Sequence, residues 1–239
     1  MDLTALKPYA ARLGLELDGA SIDRLTRHVE LLVQVNDRFN LTTLTADQEI
    51  LDRHLSDSLA IAALLAGAAG PIIDLGSGAG FPALPVAVLR PECQVTLVES
   101  SRRKSVFLRE AIRSMRLENA RVETVRAEEI GRAPGERESY GACICRAFGP
   151  LPVVLECGLP LVAPGGRLLA PRGADARAEA EGLDEVIALL GGGERRVIGY
   201  ELLSGIRLEA LQVVKTGSTP PRYPRRVGVP ARRPLTRVG

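Results

Sequence analysis

The spacing of hydrophobic and polar positions changes once along the chain. Up to about residue 66, apolar residues recur at helical intervals. In "SIDRLTRHVELLVQVNDRF", Ile22, Leu25, Val29, Leu32 and Val33 predict one apolar helix face, with Ser21 as the cap and no complete capping box. "NLTTLT" breaks this helix, and "ADQEILDRHLSDSLAIAALL" predicts a second one ending near Gly67 and Gly70. From residue 71 short apolar runs take over. "PIIDL", "QVTLVE", "ARVETV", "GACICRAF" and "GRLLAP" predict strands, and 82–90, 101–116, 127–131, 151–162 and 174–190 predict mostly helices. Such alternation predicts an α/β fold, Rossmann-like, with a mostly parallel sheet covered on both faces. "RRVIGYELL" and "EALQVVKTG" follow closely and predict a closing antiparallel hairpin, for a seven-stranded sheet with an antiparallel edge strand. The expected division is a helical cap over 1–66, an α/β core over 67–217 and a tail over 218–239.

Composition narrows this picture. A chain of 239 residues is long enough for one sizeable domain with an attachment. Aromatic residues are 3% of it and Trp is absent, which argues against a base-stacking surface. The net charge of +2 is unevenly spread. Residues 220–239 hold six arginines (Arg222, Arg225, Arg226, Arg232, Arg233, Arg237) and no acid, leaving 25 basic against 29 acidic residues elsewhere. Such a tail fits a polyanionic partner or a solvated, solubilising end, and its prolines predict an extended chain. The four cysteines form no CxxC pair and lie far from both histidines, so no metal site is expected. Cys143 and Cys145 alternate within a predicted strand as small buried hydrophobes. With no signal peptide and no apolar run long enough to span a bilayer, the expectation is a cytoplasmic, non-membrane protein, by default a monomer.

The candidate chemistry begins at "DLGSGAGFP", after the first predicted strand. Ligands of open α/β sheets bind beyond the carboxyl ends of the strands, where glycines let the backbone turn sharply. Gly76, Gly78 and Gly80 are spaced G-x-G-x-G, with Ser77 between the first two and Phe81 following. This is neither the dinucleotide G-x-G-x-x-G nor a P-loop, which needs a following Lys. Asp74 in front suits a cationic amino-acid moiety better than a phosphate. Glu99 ends the next strand at the distance where a carboxylate meets ribose hydroxyls. S-adenosylmethionine has an ammonium and a ribose and no phosphate, so both acids suit it. In "AEE" at 127–129, Glu128 could accept from an adenine edge.

The acceptor follows by comparison. No Asn/Asp-Pro-Pro-aromatic run for amine methylation follows the fourth strand, where "CRAFGP" stands. Pyrimidine carbon methylation needs a nucleophilic Cys, and neither Cys143 nor Cys145 has an evident base. Guanine N7 already carries a free lone pair and requires alignment alone. Arg146 could anchor the base or the cofactor, with a surface-paired strand-end Arg as the plainer alternative.

"NLT" at 40–42, "RHLSDS" at 53–58, "IIDLGSGAGFPALPVAVLRPE" at 72–92, "LVESSRRKSVFL" at 97–108, "RAEE" at 126–129 and "CRAF" at 145–148 together resemble the glucose-inhibited division protein B family. The resemblance runs from about residue 20 to the tail "YPRRVGVPARRPL". It implies a class I methyltransferase core, S-adenosylmethionine as cofactor, and transfer to a guanine N7 of small-subunit ribosomal RNA, as free RNA or as the 30S particle. It also implies cofactor contacts at Gly76, Phe81, Ala127, Glu128 and Arg146. Asn40, Arg53, His54 and Asp57 would lie beside the active site. Ala83 stands where the family commonly has Gly, Arg172 where it has Lys, and Arg207 earlier than the family's Arg. Arg146 and Arg172 are the candidates to orient base or phosphate, and Arg222, Arg225 and Arg226 join Asn40, Arg53 and His54 as RNA candidates. The rival readings are a nicotinamide-dependent dehydrogenase, disfavoured by the glycine spacing, and a non-catalytic RNA-binding assembly factor.

Overall fold

The computed structural model describes residues 1–236, so Arg237 of the basic tail lies outside the described residues. Helix α1 spans Leu6–Arg12 and α2 spans Gly19–Phe39. The cap of α2 is Asp18 rather than Ser21: the Asp18 carboxylate accepts from the Ser21 backbone N–H at 2.7 Å. The helix begins at Gly19, so Ser21 lies inside its first turn and supplies the free amide that Asp18 caps, and the carboxylate charge also favours the helix N-terminus. The buried stripe of α2 runs Leu25, His28, Val29 and Leu32, while Val33 is 53% exposed. Asn40, at φ 48°, ends the helix in the left-handed region.

The next helical run is not uniform. It passes from α3 (Asp47–Glu49) through a π-helix (Ile50–Ser56) into α4 (Asp57–Leu64). Then follow β1 (Ile72–Leu75), α5 (Ala83–Leu89), β2 (Val95–Val98), α6 (Arg102–Met115), β3 (Ala120–Glu123), α7 (Ala127–Ile130) and β4 (Tyr140–Ile144). After them come α8 (Leu151–Gly158), continued by a single 3-10 turn over Leu159–Leu161, β5 (Val162–Arg172), α9 (Ala176–Glu179) and α10 (Asp184–Leu189). The hairpin β6 (Gly192–Glu201) and β7 (Arg207–Lys215) and a short α11 (Val229–Arg232) complete the order. Helix α11 corrects the expectation of a wholly extended tail: Pro230 sits in its first turn, where a missing N–H costs nothing.

Seven strands form one sheet in the order β3-β2-β1-β4-β5-β7-β6. The pairs β1/β4, β2/β3 and β4/β5 are parallel, and β5/β7 is antiparallel in the register Leu169↔Gln212. The expected antiparallel strand is thus β7, with β6 outside it. Strand order reverses between β1 and β4, which marks the loop after β1 as a switch point.

Packing groups the chain into two units. The first comprises Met1–Ala66, Ser77–Thr124 and Glu201–Ile206. Its core is built from Leu25 and Leu32, Leu55 and Leu59, Leu84, Leu97 and Leu108, all buried. The second comprises Gly67–Gly76, Val125–Tyr200 and the described residues from Arg207 onward. Its core is the sheet residues Ile72, Ile73, Ala142, Ile144, Leu168, Leu169, Leu211 and Val213. Lys215, also fully buried, donates to the carbonyls of Leu159 (2.9 Å) and Leu190 (3.1 Å) and to Thr219, with Glu138 at 3.4 Å. Burial lowers its pKa to about 8 against the pull of Glu138. The knot fastens the point where the C-terminal segment leaves β7.

Candidate cofactor site

In the first unit the glycine turn is held by a carboxylate. Ser77 N–H donates to the Val98 carbonyl at the end of β2 (3.1 Å) and Gly80 N–H to the Ser77 carbonyl (2.7 Å). One Glu99 oxygen accepts from Gly78 N–H at 3.1 Å and the other from Ser101 N–H at 2.7 Å. Glu99 is therefore oriented by two backbone donors, and each oxygen keeps a further lone pair for a hydroxyl. Gly80 has φ +87°, and a Cβ there would meet Leu84 Cδ1 at 2.5 Å. The positive φ is what requires glycine here, and the missing Cβ also leaves room for the Leu84 side chain of α5 against the turn.

Phe81 lies between two histidines. Its ring stacks on His28 at 4.4 Å and on His54 at 4.6 Å, the latter pair only 4° from parallel. His28 Nε2 lies 2.8 Å from the Ala79 carbonyl within the glycine turn. His28 is fully buried, and burial holds its pKa down to about 4. His54 Nε2 lies 2.9 Å from Thr42 Oγ1. Thr42 is placed by Asn36, whose side chain accepts from the amides of Leu41 (2.9 Å) and Thr42 (3.0 Å) and donates to the Thr42 carbonyl (3.0 Å). The segments "NLT", "RHLSDS" and "GFP", remote in sequence, meet here around one phenylalanine. Asn40 and Arg53 are exposed, whereas His54 and Asp57 are buried.

In the second unit, Asp74 is 1% exposed at the end of β1, paired in register with Ile144 of β4. Gly76 has φ +76°, and a Cβ on it would lie 3.0 Å from the Phe148 ring. After β4 the chain turns through Arg146 and Ala147, the latter at φ +52°, an unusual conformation for a residue with a side chain. Arg172 ties this turn down: its Nη2 donates to the Gly149 carbonyl at 2.7 Å, and its Nε lies 3.5 Å from Glu179. Arg172 thus fastens the loop that carries Arg146. Burial, with Cys143 beside it, raises the Cys145 thiol well above its ordinary pKa, which disfavours a thiolate nucleophile.

Ala127 and Glu128 open α7, where Glu128 Oε1 accepts from the Gly228 N–H at 2.8 Å. Arg225 is not a free surface cation. It makes a bidentate pair with Glu156 at 2.8 and 2.6 Å, and Glu156 has no exposed side-chain area. Arg222 and Arg226 are exposed.

His28, Asn36, Phe148 and Glu156 were missed in the sequence reading. His28 could have been found, since it lies at helical spacing from Leu25 and Leu32. Glu156 also stands out, as a lone acid in the apolar run "LPVVLECGLPLV". Nothing local marks Asn36, and Phe148 stands in the sequence as the last residue of "CRAF" with no role attached to it.

The family model described as "GidB: rRNA small subunit methyltransferase G" matches residues 21–201. A ribosomal RNA small subunit methyltransferase G of Roseiflexus castenholzii is 43% identical over 229 residues, covering 95% of this chain and 97% of that protein. The protein of that name from Pelotomaculum thermopropionicum is 38% identical over 232 residues, with 96% and 97% covered. Among solved structures, an O-methyltransferase of Bacillus cereus in complex with SAH has a TM-score of 0.60 at 18% identity, over 89% of this chain and 98% of that one. This last likeness is one of fold.

Proposed function

The chain belongs to the GidB family, rRNA small subunit methyltransferase G, and from that premise we propose that it transfers a methyl group from S-adenosylmethionine to N7 of a guanine in small-subunit ribosomal RNA. The observation that carries this reading is the match to relatives of that name over nearly the whole chain. Bound at the glycine turn, the cofactor supplies a methyl carbon activated by a sulfonium.

The chain's residues fit that ligand. The Glu99 carboxylate, oriented by two amides, suits vicinal ribose hydroxyls. Asp74 suits an ammonium, and the absence of a cationic side chain from "DLGSGAGFP" suits a ligand without phosphate. Gly76, Ser77, Gly78, Gly80 and Phe81 form the turn, and Ala127, Glu128 and Arg146 are the further positions that the family resemblance assigns to the cofactor. The Cys145 thiol stays protonated, which agrees with an acceptor that needs no covalent intermediate. Guanine N7 needs no base either, so the work left to the protein is alignment. Arg146 would present donors to guanine O6, and Arg172 would hold its loop in place. Asn40 and Arg53, with Arg222 and Arg226 of the tail, are the residues assigned to the RNA, whereas His54, buried against Phe81 and bonded to Thr42, is a packing residue beside the turn and not an RNA contact.

The test uses labelled S-adenosylmethionine and small subunits lacking the modification, with the labelled nucleoside identified by mass spectrometry. The expected product is 7-methylguanosine at one site. A different methylated nucleoside overturns the acceptor and keeps the cofactor. RNA binding without transfer supports the assembly-factor reading instead.

A further inference from the structure

We propose that the C-terminal segment, 219–233, is a positioning element of the cofactor site, holding α7 in the place from which Ala127 and Glu128 meet the cofactor. The inference rests on the assignment of those two residues made above. Helix α7 is four residues long and cannot hold its own conformation. The C-terminal segment braces it at three points. Gly131, just after the helix, has no room for a side chain: a Cβ would lie 2.8 Å from Pro224 Cγ. Arg132 donates to the carbonyls of Pro224 (2.6 Å) and Arg222 (3.1 Å). Glu128 accepts from Gly228 N–H at 2.8 Å, so the side chain assigned to the cofactor is aimed by tail backbone.

The segment is itself clamped. Glu156 accepts from Arg225 N–H at 2.9 Å as well as from its guanidinium, and Arg225 Nη2 donates onward to the Arg233 carbonyl at 2.7 Å. Arg137 donates to the Tyr223 carbonyl (2.8 Å) and to the Gly131 carbonyl (3.1 Å), bridging the segment to the end of α7. Tyr223, Pro224 and Pro230 are buried. A basic stretch that only trailed toward RNA would need none of these contacts. Arg225 is thereby a fastener and not a phosphate ligand.

Coupling between sites is reciprocal, so a segment that favours cofactor binding must itself be stabilised by the cofactor. Hydrogen exchange on the full chain, with and without saturating S-adenosylhomocysteine, reads this directly. The expected result is slower exchange in peptides over 74–81 and, together with them, over 222–229, including the Gly228 amide. Protection of 74–81 with unchanged exchange over 222–229 overturns the proposal. No protection in either place overturns the cofactor reading, and this inference falls with it. A second measurement is the dissociation constant of S-adenosylhomocysteine for R225Q and R225K, each held below its unfolding temperature. Removing a charged hydrogen-bonding group weakens a dependent interaction by about tenfold, so R225Q should bind about tenfold more weakly and R225K should recover part of the loss. Wild-type affinity in a folded R225Q overturns the proposal.

Discussion

His28 shows how much one side chain does for the glycine turn. Its Nδ1 has no hydrogen-bond partner among the described residues and its Nε2 faces the Ala79 carbonyl, the arrangement of a neutral ring with the proton on Nε2. Its pKa falls from 6.5 to about 4, chiefly through burial, so the folded protein resists a proton that the unfolded chain accepts. The sign follows: the contribution is complete above pH 6.5 and is lost as pH falls toward 4, because the unfolded state then binds more protons. Urea unfolding of the wild type and of H28Q, compared from pH 7 to pH 4, should differ in slope. The wild type loses about 3 kcal/mol more over that window. Equal slopes would show that the ring is not buried neutral. The position of His28 was legible, since helical spacing puts it in the apolar stripe. Its stacking partner was not, because Phe81 reaches α2 only in the folded chain.

At the scale of elements, the π-helix over Ile50–Ser56 interrupts a run that the sequence presents as one helix. Asp52, 4% exposed, accepts from Ser204 N–H at 2.9 Å and from Ser204 Oγ at 2.6 Å. Ser56 Oγ donates to the Asp52 carbonyl at 2.8 Å and accepts from Leu203 N–H at 3.1 Å. The widened turn thus receives the tip of the β6–β7 hairpin, and His54, on the same turn, reaches Phe81. Removing the carboxylate strands the Ser204 amide and hydroxyl. D52A should lower the unfolding free energy by about 2 kcal/mol, and D52N, which keeps an acceptor, by less. Identical denaturation midpoints for D52A and the wild type would refute the role. A 3.6-residue period carries no mark of a π-turn, whose cause lies in a hairpin roughly 150 residues away.

For the whole molecule, the basic tail is where folding most changes the meaning of the sequence. Arginines that look equivalent in "PRYPRRVGVPARRP" divide into a clamp and an exposed set. RNA affinity measured against salt separates them. Each phosphate contact contributes a slope of roughly 0.7 for single-stranded RNA, so R222Q and R226Q should each flatten log K against log salt by up to that amount. R225Q should leave the slope nearly unchanged while costing about 3 kcal/mol of stability, because it strands the buried Glu156 charge. Equal slopes for all three variants and the wild type would remove the tail from the RNA interface.

Periodicity and punctuation in the sequence determined the helical start, the strand–helix alternation, the glycine turn and the two acids beside it, because these depend on neighbours within a few residues. The combination of short motifs was enough to indicate the family. Only the tertiary structure decided that Glu99 orients the turn, that two histidines enclose Phe81, that Arg172 fastens the loop of Arg146 and that the tail braces α7. Each of those is a pairing between groups far apart in the chain. A buried polar group must find its partner wherever the fold brings one, and local sequence does not say where that will be.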